Sequence, residues 1–124
     1  MAKSDYQPGV FISYARSDAR KVKSILKGLA ARGVITKEDS VFKEEDLPAK
    51  HAELRKQVQH LIRSSSKFIV VWGKNSAQSQ WVNYELGLAD AFGKQVIVVI
   101  DGADQLPLPI KLKDVQIVNM SAEE

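Results

Sequence analysis

The sequence predicts an α/β fold in which a buried parallel sheet is covered by helices. Apolar runs at residues 68–72 and 96–100 are too continuously apolar for strands of a sheet with one solvated face. Segments with helical periodicity alternate with these runs along the chain. The 124 residues, 44% of them hydrophobic, are enough for a single domain, 1–124, with one hydrophobic core.

Strands and helices are predicted in regular alternation. The strands are expected at residues 10–12, 41–42, 68–72, 96–100 and 115–118. The first helix begins at the capping candidates Ser17 and Asp18 and ends at Gly33. Pro48 suits the first turn of a second helix, and Ser79 caps a third helix that runs to Gly93. The apolar stripes of the first two helices are Val22, Ile25, Leu26 and Leu29, and then Leu54, Val58, Leu61 and Ile62.

Right-handed crossovers wind this alternation into a parallel sheet with helices on both faces. This is a flavodoxin-like plan, for which we expect five strands in the order 2-1-3-4-5. In such a sheet, ligands bind beyond the carboxyl ends of strands 1 and 3, where the winding direction reverses. The walls of that crevice are the loops at residues 13–17 and 73–79. We therefore expect any small-molecule site to lie between these two loops.

The plan lacks a C-terminal helix. Residues 101–114 contain Pro107 and Pro109 and are typical of a loop, and only six residues follow Val118. The first helix alone would then cover its face of the sheet, which leaves apolar surface for an adjoining domain or another copy. We interpret the chain as a fragment of a larger protein, or as one that functions by self-association.

Composition excludes several classes of function. A net charge of +3, with lysines interleaved among acids, gives no strong support for nucleic-acid binding. The absence of cysteine excludes disulfides, thiolate nucleophiles and cysteine metal sites. No apolar stretch approaches the roughly 20 residues that a bilayer requires. We expect a soluble, cytoplasmic protein that binds no membrane.

No motif of another flavodoxin-like or nucleotide-binding class is present. The sequence has neither G-x-G-x-x-G nor a P-loop, and a receiver domain needs an aspartate where Trp72 and Gly73 stand. His51 and His60 lie on opposite sides of the second helix, so they cannot share a metal. We predict no metal site.

Glu85 is the most informative residue in the chain. It lies in the second turn of the largely apolar third helix, in the run WVNYE, where a carboxylate is costly to bury. Either the side chain is a solvated helix carboxylate that helps solubility, or it is held for chemistry beside the predicted crevice.

Three segments in order resemble a TIR (Toll/interleukin-1 receptor) domain of the bacterial type, over about residues 9–118. They are the opening FISYA with Ser17 and Asp18, the helix SQWVNYELGLA at residues 79–89, and GKQVIVV at residues 93–99. The family has the flavodoxin-like sheet inferred above, so the resemblance and the residue patterns imply the same fold.

The resemblance implies two kinds of function. Many bacterial and plant TIR domains cleave NAD+ between nicotinamide and ribose with a glutamate of the third helix, which matches Glu85. Some produce linear or cyclic ADP-ribose signals in antiviral defence or cell death. Other TIR domains only assemble with one another as scaffolds. A third interpretation is a receptor that binds a nucleotide without turning it over. In the NAD+-cleaving function, NAD+ is the substrate and no separate cofactor is expected.

Candidate ligand contacts come from the crevice and from the resemblance. They are Tyr14, Arg16, Ser17, Phe42, Lys43, Ser79 and Trp81. Arg16 and Ser17 suit a diphosphate at a helix N-terminus, but are equally a surface arginine and a helix cap. Trp81 suits stacking on the nicotinamide-ribose unit, but a tryptophan on an amphipathic helix is more often a core residue. The loop that begins at Lys43 mediates assembly in TIR domains, and here it departs from the family because no glycine follows Pro48.

Overall fold

A computed structural model of the chain describes residues 9–36, 39–43, 51–101, 108, 111 and 115–120, with only the backbone at 51 and 52. The elements in chain order are β1 (Gly9–Ser13), a 3₁₀ turn (Arg16–Asp18), α1 (Ala19–Ala31), β2 (Ser40–Lys43), α2 (His51–Ser64), β3 (Lys67–Val71), α3 (Lys74–Ala77), α4 (Gln80–Ala91), β4 (Gln95–Ile100) and β5 (Val115–Asn119).

The five strands form one sheet in the order β2-β1-β3-β4-β5, and every pair is parallel. Phe11 of β1 is in register with Phe42 on one side and with Phe68 on the other. The predicted strand order and the flavodoxin-like fold are therefore confirmed.

Side chains alternate between the two faces of the sheet, and each face carries its own core cluster. Val10, Ile12, Ile69, Val71, Ile97 and Val99 face α1, where Val22, Ile25 and Leu29 cover them. Phe11, Phe68, Val70, Val96 and Val98 face α2 and α4. Phe11 and Phe68 stack with ring centroids 5.9 Å apart. The central strands β1, β3 and β4 are apolar almost throughout because both of their faces are covered.

The ends of the helices are close to their predicted positions. Gly33 and Gly93 follow α1 and α4 with φ of 76° and 70°, a conformation in which a Cβ would be strained. Ser79 caps α4 by accepting the N–H of Val82 at 3.2 Å. Ser17 does not cap α1, because a 3₁₀ turn intervenes and Asp18 occupies the N-cap position without a side-chain capping bond.

The short helix α3 between β3 and the Ser79 cap was not predicted. Its four residues are too few to show an apolar periodicity. Its first turn is stabilised locally, since Ser76 Oγ accepts the Gly73 N–H at 2.8 Å. This turn brings the chain from the end of β3 to the start of α4.

Exposed apolar surface lies on the edge strand β5. Val115 and Ile117 are 41% and 61% exposed, and they are in register with Val96 and Val98 on the α2/α4 face. On the α1 face, Ile97, Val99 and Val118 are buried. No described residue between β4 and β5 is helical; the predicted loop at 101–114 otherwise lies outside the described residues, as does Pro48. No helix in the described ranges is long and apolar enough to cross a membrane.

Candidate functional site

The carboxyl end of β1 and the second turn of α4 bring together Ser13 and Glu85. Ser13 Oγ donates a hydrogen bond of 2.6 Å to Glu85 Oε1. The two residues are 1% and 2% exposed, so a carboxylate and a hydroxyl are enclosed at the edge of an apolar core. The alternative of a solvated helix carboxylate is wrong for Glu85.

The sequence of α4 places Glu85 on the buried side of the helix. Val82, Leu86 and Ala89 are buried in the α2/α4-side cluster, and with Glu85 they follow the i, i+3, i+4, i+7 spacing of one helix face. Glu85 thus takes a position that a hydrophobic side chain would normally fill. Burying a charged group there is unfavourable unless it is hydrogen-bonded, and the Ser13 hydroxyl supplies one such bond.

Neighbouring residues of the WVNYE run hold α4 in place. Asn83 Nδ2 donates to the carbonyl of Ser79 at 2.8 Å, with longer bonds to the carbonyls of Ser76 and Ala77 at 3.4 and 3.3 Å. One amide group therefore pins the loop after β3 to the first turn of α4. This fixes the start of the helix that carries Glu85.

Tyr84 joins α4 to α2. Its hydroxyl accepts a hydrogen bond of 2.9 Å from Gln59 Nε2, and the Arg55 guanidinium lies 5.3 Å from its ring centroid. Trp81 is half-buried and meets the Tyr84 ring edge to face, with centroids 5.2 Å apart. Trp81 therefore packs against its own helix while keeping part of its indole accessible, one turn before Glu85.

A crevice is present on the α1 face of the sheet, lined by α1, by the ends of β3 and β4 and by part of the predicted loop at 73–79, whereas no residue of the other predicted wall, 13–17, lines it. Its cavity measures about 180 Å³, and its polar lining residues are Asp18, Lys21, Lys74, Asn75 and Asp101. Asp18 is 5% exposed; its Oδ1 accepts a 2.9 Å bond from Asn75 Nδ2 and lies 3.9 Å from Lys21 Nζ. The Asp18–Asn75 contact ties the loop after β1 to the loop after β3.

Glu85 and this cavity lie on opposite sides of the sheet. Ser13 is in phase with Phe11, which packs in the α2/α4-side cluster, whereas the cavity floor includes Ile25, Val71 and Val99 of the α1-side cluster. The carboxyl edge of β1 therefore carries two buried carboxylates, Glu85 on one face and Asp18 on the other. The sequence predicted only one crevice at this edge.

The remaining predicted residues of the first loop differ from Glu85 in their exposure. Tyr14 is half-buried and packs against the α1-side cluster. Arg16 and Ser17 are exposed in the 3₁₀ turn. The structure thus places the latter two at the solvent edge beyond β1, at the entry to α1.

Phe42 and Lys43 end β2, next to β1 in the sheet. Phe42 packs against the same cluster as Leu86, and its ring lies over Gly9, where a Cβ would come within 2.8 Å of Phe42 Cε2. Lys43 is half-buried at the end of the strand. Ser79 and Trp81 lie on α4 itself, so three separate chain segments surround the carboxyl edge of β1.

Sequence reasoning missed Ser13 and the Asp18–Asn75 contact. One signal for Ser13 was available: it is the polar residue that ends an apolar strand, in phase with Phe11. No spacing rule identifies its partner, which is 72 positions away. Among the described residues, no group of three His, Asp or Glu side chains converges as a metal site would require.

The fold is that of the doubly wound α/β domains, which bind ligands at the carboxyl edge of the sheet where the strand order reverses. The buried carboxylate of Glu85 lies at this edge, beside β1. The sequence matches the profile of the TIR domain over residues 10–124, and the chain belongs to the TIR-domain family. No curated protein sequence gave a significant match.

Solved structures with this fold include proteins that handle nucleosides. The CMP N-glycosidase BcmB of Clostridium botulinum aligns at TM-score 0.61 and 19% identity, over 92% of this chain and 90% of its own. A 2-desoxiribosyltransferase from Leishmania mexicana aligns at TM-score 0.52 and 18% identity, over 75% of this chain and 64% of its own.

A third structure with this fold is a TIR assembly. The TIR domains of the activated Roq1 resistosome, which recognises the effector XopQ, align at TM-score 0.57 and 24% identity. The alignment covers 78% of this chain and 59% of that one. At these identities the three likenesses establish the shared fold.

Proposed function

We propose that this TIR domain is an NAD+ glycohydrolase in which Glu85 is the catalytic carboxylate. The observation that carries the proposal is the enclosed Glu85, 2% exposed, on the apolar stripe of α4 beside the carboxyl end of β1. Burying a carboxylate at such a position is unfavourable because the charged group loses its hydration, and buried ionisable groups of this kind are found mainly at functional sites. The CMP N-glycosidase of the same fold is named for the same class of bond.

The reaction suits a single carboxylate. The bond between ribose C1′ and the nicotinamide nitrogen breaks, and its electron pair leaves with nicotinamide, which becomes neutral. Positive charge then develops on the ribose as an oxocarbenium-like cation. An ionised Glu85 near the ribose stabilises that charge electrostatically. Water adds to C1′ and loses a proton, so that NAD+ and water give ADP-ribose, nicotinamide and a proton.

The binding residues belong to this proposal. Arg16 and Ser17, exposed beyond β1, are proposed to contact the diphosphate, and the accessible part of the Trp81 indole is proposed to stack on the nicotinamide-ribose unit. The other contacts proposed are Tyr14, Phe42, Lys43 and Ser79. They surround the strand edge on which the Glu85 carboxylate lies.

The burial of Glu85 gives self-association a physical role. With 2% of the residue exposed, the ribose cannot reach the carboxylate until nearby side chains move. Contact with a neighbouring copy supplies free energy for that movement, since a partner stabilises whichever conformation it binds better. We therefore propose that NAD+ cleavage is faster in the assembled protein than in the dilute monomer.

The decisive experiment is nicotinamide release from NAD+, followed by chromatography with dilute protein and with protein concentrated by crowding agents. Wild-type protein is expected to release nicotinamide. Glu85→Gln, which keeps the shape but removes the charge, is expected to lower kcat at least 100-fold, the loss of about 3 kcal/mol of transition-state stabilisation. Asp90→Asn is the matched control, because it makes the same change at a half-buried position on the same helix.

The outcomes are distinct. Equal rates for wild type and Glu85→Gln would remove Glu85 from the mechanism. An equal loss in Asp90→Asn would point to net charge or folding as the cause. Nicotinamide release by none of the proteins, assembled or dilute, would refute the glycohydrolase.

The second candidate is a catalytically silent assembly module. It is favoured by Val115 and Ile117, exposed on an edge strand, and by the TIR assembly among the proteins of like fold. Under this alternative the protein self-associates in sedimentation experiments but releases no nicotinamide at any concentration. The same preparation therefore decides between the two functions.

A further inference from the structure

We propose that Ser13 is the positioning residue for the catalytic carboxylate: its hydroxyl fixes the orientation of Glu85 and favours its ionised form. This inference rests on the proposed function of Glu85. It concerns a residue at the end of β1, which was predicted only as part of a loop wall. Ser13 acts through Glu85 and is assigned no contact with the substrate.

The geometry of the pair supports a specific interaction. The distance of 2.6 Å between Ser13 Oγ and Glu85 Oε1 falls in the range of hydrogen bonds from a hydroxyl to an ionised carboxylate. Both residues are almost fully buried, at 1% and 2% exposure. A bond enclosed in this way is weakly screened by water, so it constrains the glutamate more than a surface bond would.

The placement of Ser13 follows from the sheet. Position 13 continues the alternation of Gly9 and Phe11 on the α2/α4 face, and it pairs in register with Val70 of β3. A hydrophobic residue there would complete the core cluster, as Phe11 and Val70 do. β1 instead ends with serine, a small residue with a hydroxyl group, and β1 lies inside the sheet between β2 and β3.

A central strand is a firm support for a glutamate. A glutamate side chain has three rotatable bonds between the backbone of α4 and its carboxylate. The hydroxyl from β1 supplies a second point of attachment, 72 positions away in the sequence. By donating to the carboxylate, it also offsets part of the cost of keeping charge in a buried site. A catalytic carboxylate needs both the fixed orientation and the stabilised charge in order to stabilise the positive charge that develops on the ribose in the transition state.

The test measures NAD+ cleavage by Ser13 variants under the conditions in which the wild type is fastest. Ser13→Ala is expected to lower kcat by roughly 10- to 100-fold, the value of a hydrogen bond to a charged group, with KM changed by less than about threefold. Ser13→Thr keeps the hydroxyl and is expected to restore kcat to within about tenfold of the wild type. Ser13→Cys has nearly the size of serine but is a weak donor, and is expected to resemble Ser13→Ala.

Ser65→Ala is the matched control. Ser65 is also buried, at 2% exposure, and its hydroxyl also makes a 2.6 Å bond, donated to the carbonyl of Leu61. It precedes β3 and therefore lies at the opposite edge of the sheet from Ser13. Ser65→Ala is expected to keep the wild-type kcat, so a loss confined to Ser13 cannot be attributed to removal of a buried hydroxyl.

Each outcome decides the inference. Ser13→Ala at or above the wild-type rate would overturn it while the glycohydrolase stands, as would an equal loss in Ser65→Ala. Absence of activity in the wild type would refute the proposed function and the positioning role together. A stability cycle between Ser13→Ala and Glu85→Leu then shows whether the pair interacts, independently of any turnover.

Discussion

Replacing Glu85 with leucine and Ser13 with alanine together is expected to stabilise the fold while abolishing NAD+ cleavage. Glu85 takes a core position between Val82, Leu86 and Ala89, and Ser13 is buried beside it. The pair contributes polarity where the surroundings are apolar. If the carboxylate is kept for chemistry, the fold should gain when both polar groups are removed.

The magnitude follows from the burial of the pair. A buried leucine side chain contributes about 2 kcal/mol, whereas a buried ion costs several kcal/mol, of which a hydrogen bond to it returns about 2 kcal/mol. The leucine alone should therefore make the double variant more stable than the wild type by about 2 kcal/mol, or about 8 °C in Tm for a domain of this size, and removal of the uncompensated cost of the ion adds to this gain.

Both single variants should be less stable than the double variant. Ser13→Ala removes a donor from the buried carboxylate and should cost about 2 kcal/mol. Glu85→Leu gains apolar packing but removes the acceptor that Ser13 Oγ uses, so its stability should lie near that of the wild type. The expected order of stability is therefore Ser13→Ala, then wild type and Glu85→Leu, then the double variant.

Urea unfolding followed by circular dichroism, on dilute monomeric protein, measures all four free energies. Ser65→Ala combined with Glu85→Leu is the control cycle, and its effects should add because Ser65 bonds to Leu61. A double variant about 1 kcal/mol or more below the wild type would refute the reasoning. The Glu85 carboxylate would then be a structural group that the fold requires.

Two further substitutions test the support of α4 and the edge of the sheet. Asn83→Ala should lower the free energy of unfolding by about 1–2 kcal/mol, because the Asn83 amide donates hydrogen bonds to carbonyls of the loop before α4. The control Gln80→Ala, at an exposed position, should change this free energy by less than about 0.5 kcal/mol. Equal losses for the two variants in urea unfolding would contradict the role of Asn83. Ile117→Lys, at a side chain 61% exposed, should weaken self-association in sedimentation velocity more than Gln116→Lys, which adds the same charge on the other face of β5; unchanged association would exclude this patch as a contact.

Most of the fold could be predicted because its strands are buried on both sides. Residues 68–72 and 96–100 are apolar at every position, as expected for strands of a covered sheet, and their alternation with helices predicts a parallel sheet, whereas the order 2-1-3-4-5 follows from the flavodoxin-like plan. The 3₁₀ turn at Arg16–Asp18 and the helix α3 were missed. They are too short for periodicity and depend on a few local hydrogen bonds, such as that between Ser76 and Gly73.

Of the residues that form the candidate site, only Glu85 could be identified from the sequence. Glu85 was singled out because a carboxylate on an apolar helix is costly to bury, and the structure encloses it. Ser13 was hidden because pairing it with Glu85 requires both the phase of β1 and the rotation of α4 about its axis. The same holds for Asp18 and Asn75, which are joined only when the loops after β1 and β3 come together.

The sequence by itself determined the five strands, the three long helices, the parallel sheet and the end of that sheet at which a ligand site is expected, because these depend on periodicity and on the handedness of crossovers. Only the tertiary structure decided that Glu85 faces Ser13 on one side of the sheet while Asp18 and the cavity lie on the other. The physical reason is that alternation along a strand assigns neighbouring residues to opposite faces. Which faces meet is decided by packing between segments that are distant in the sequence.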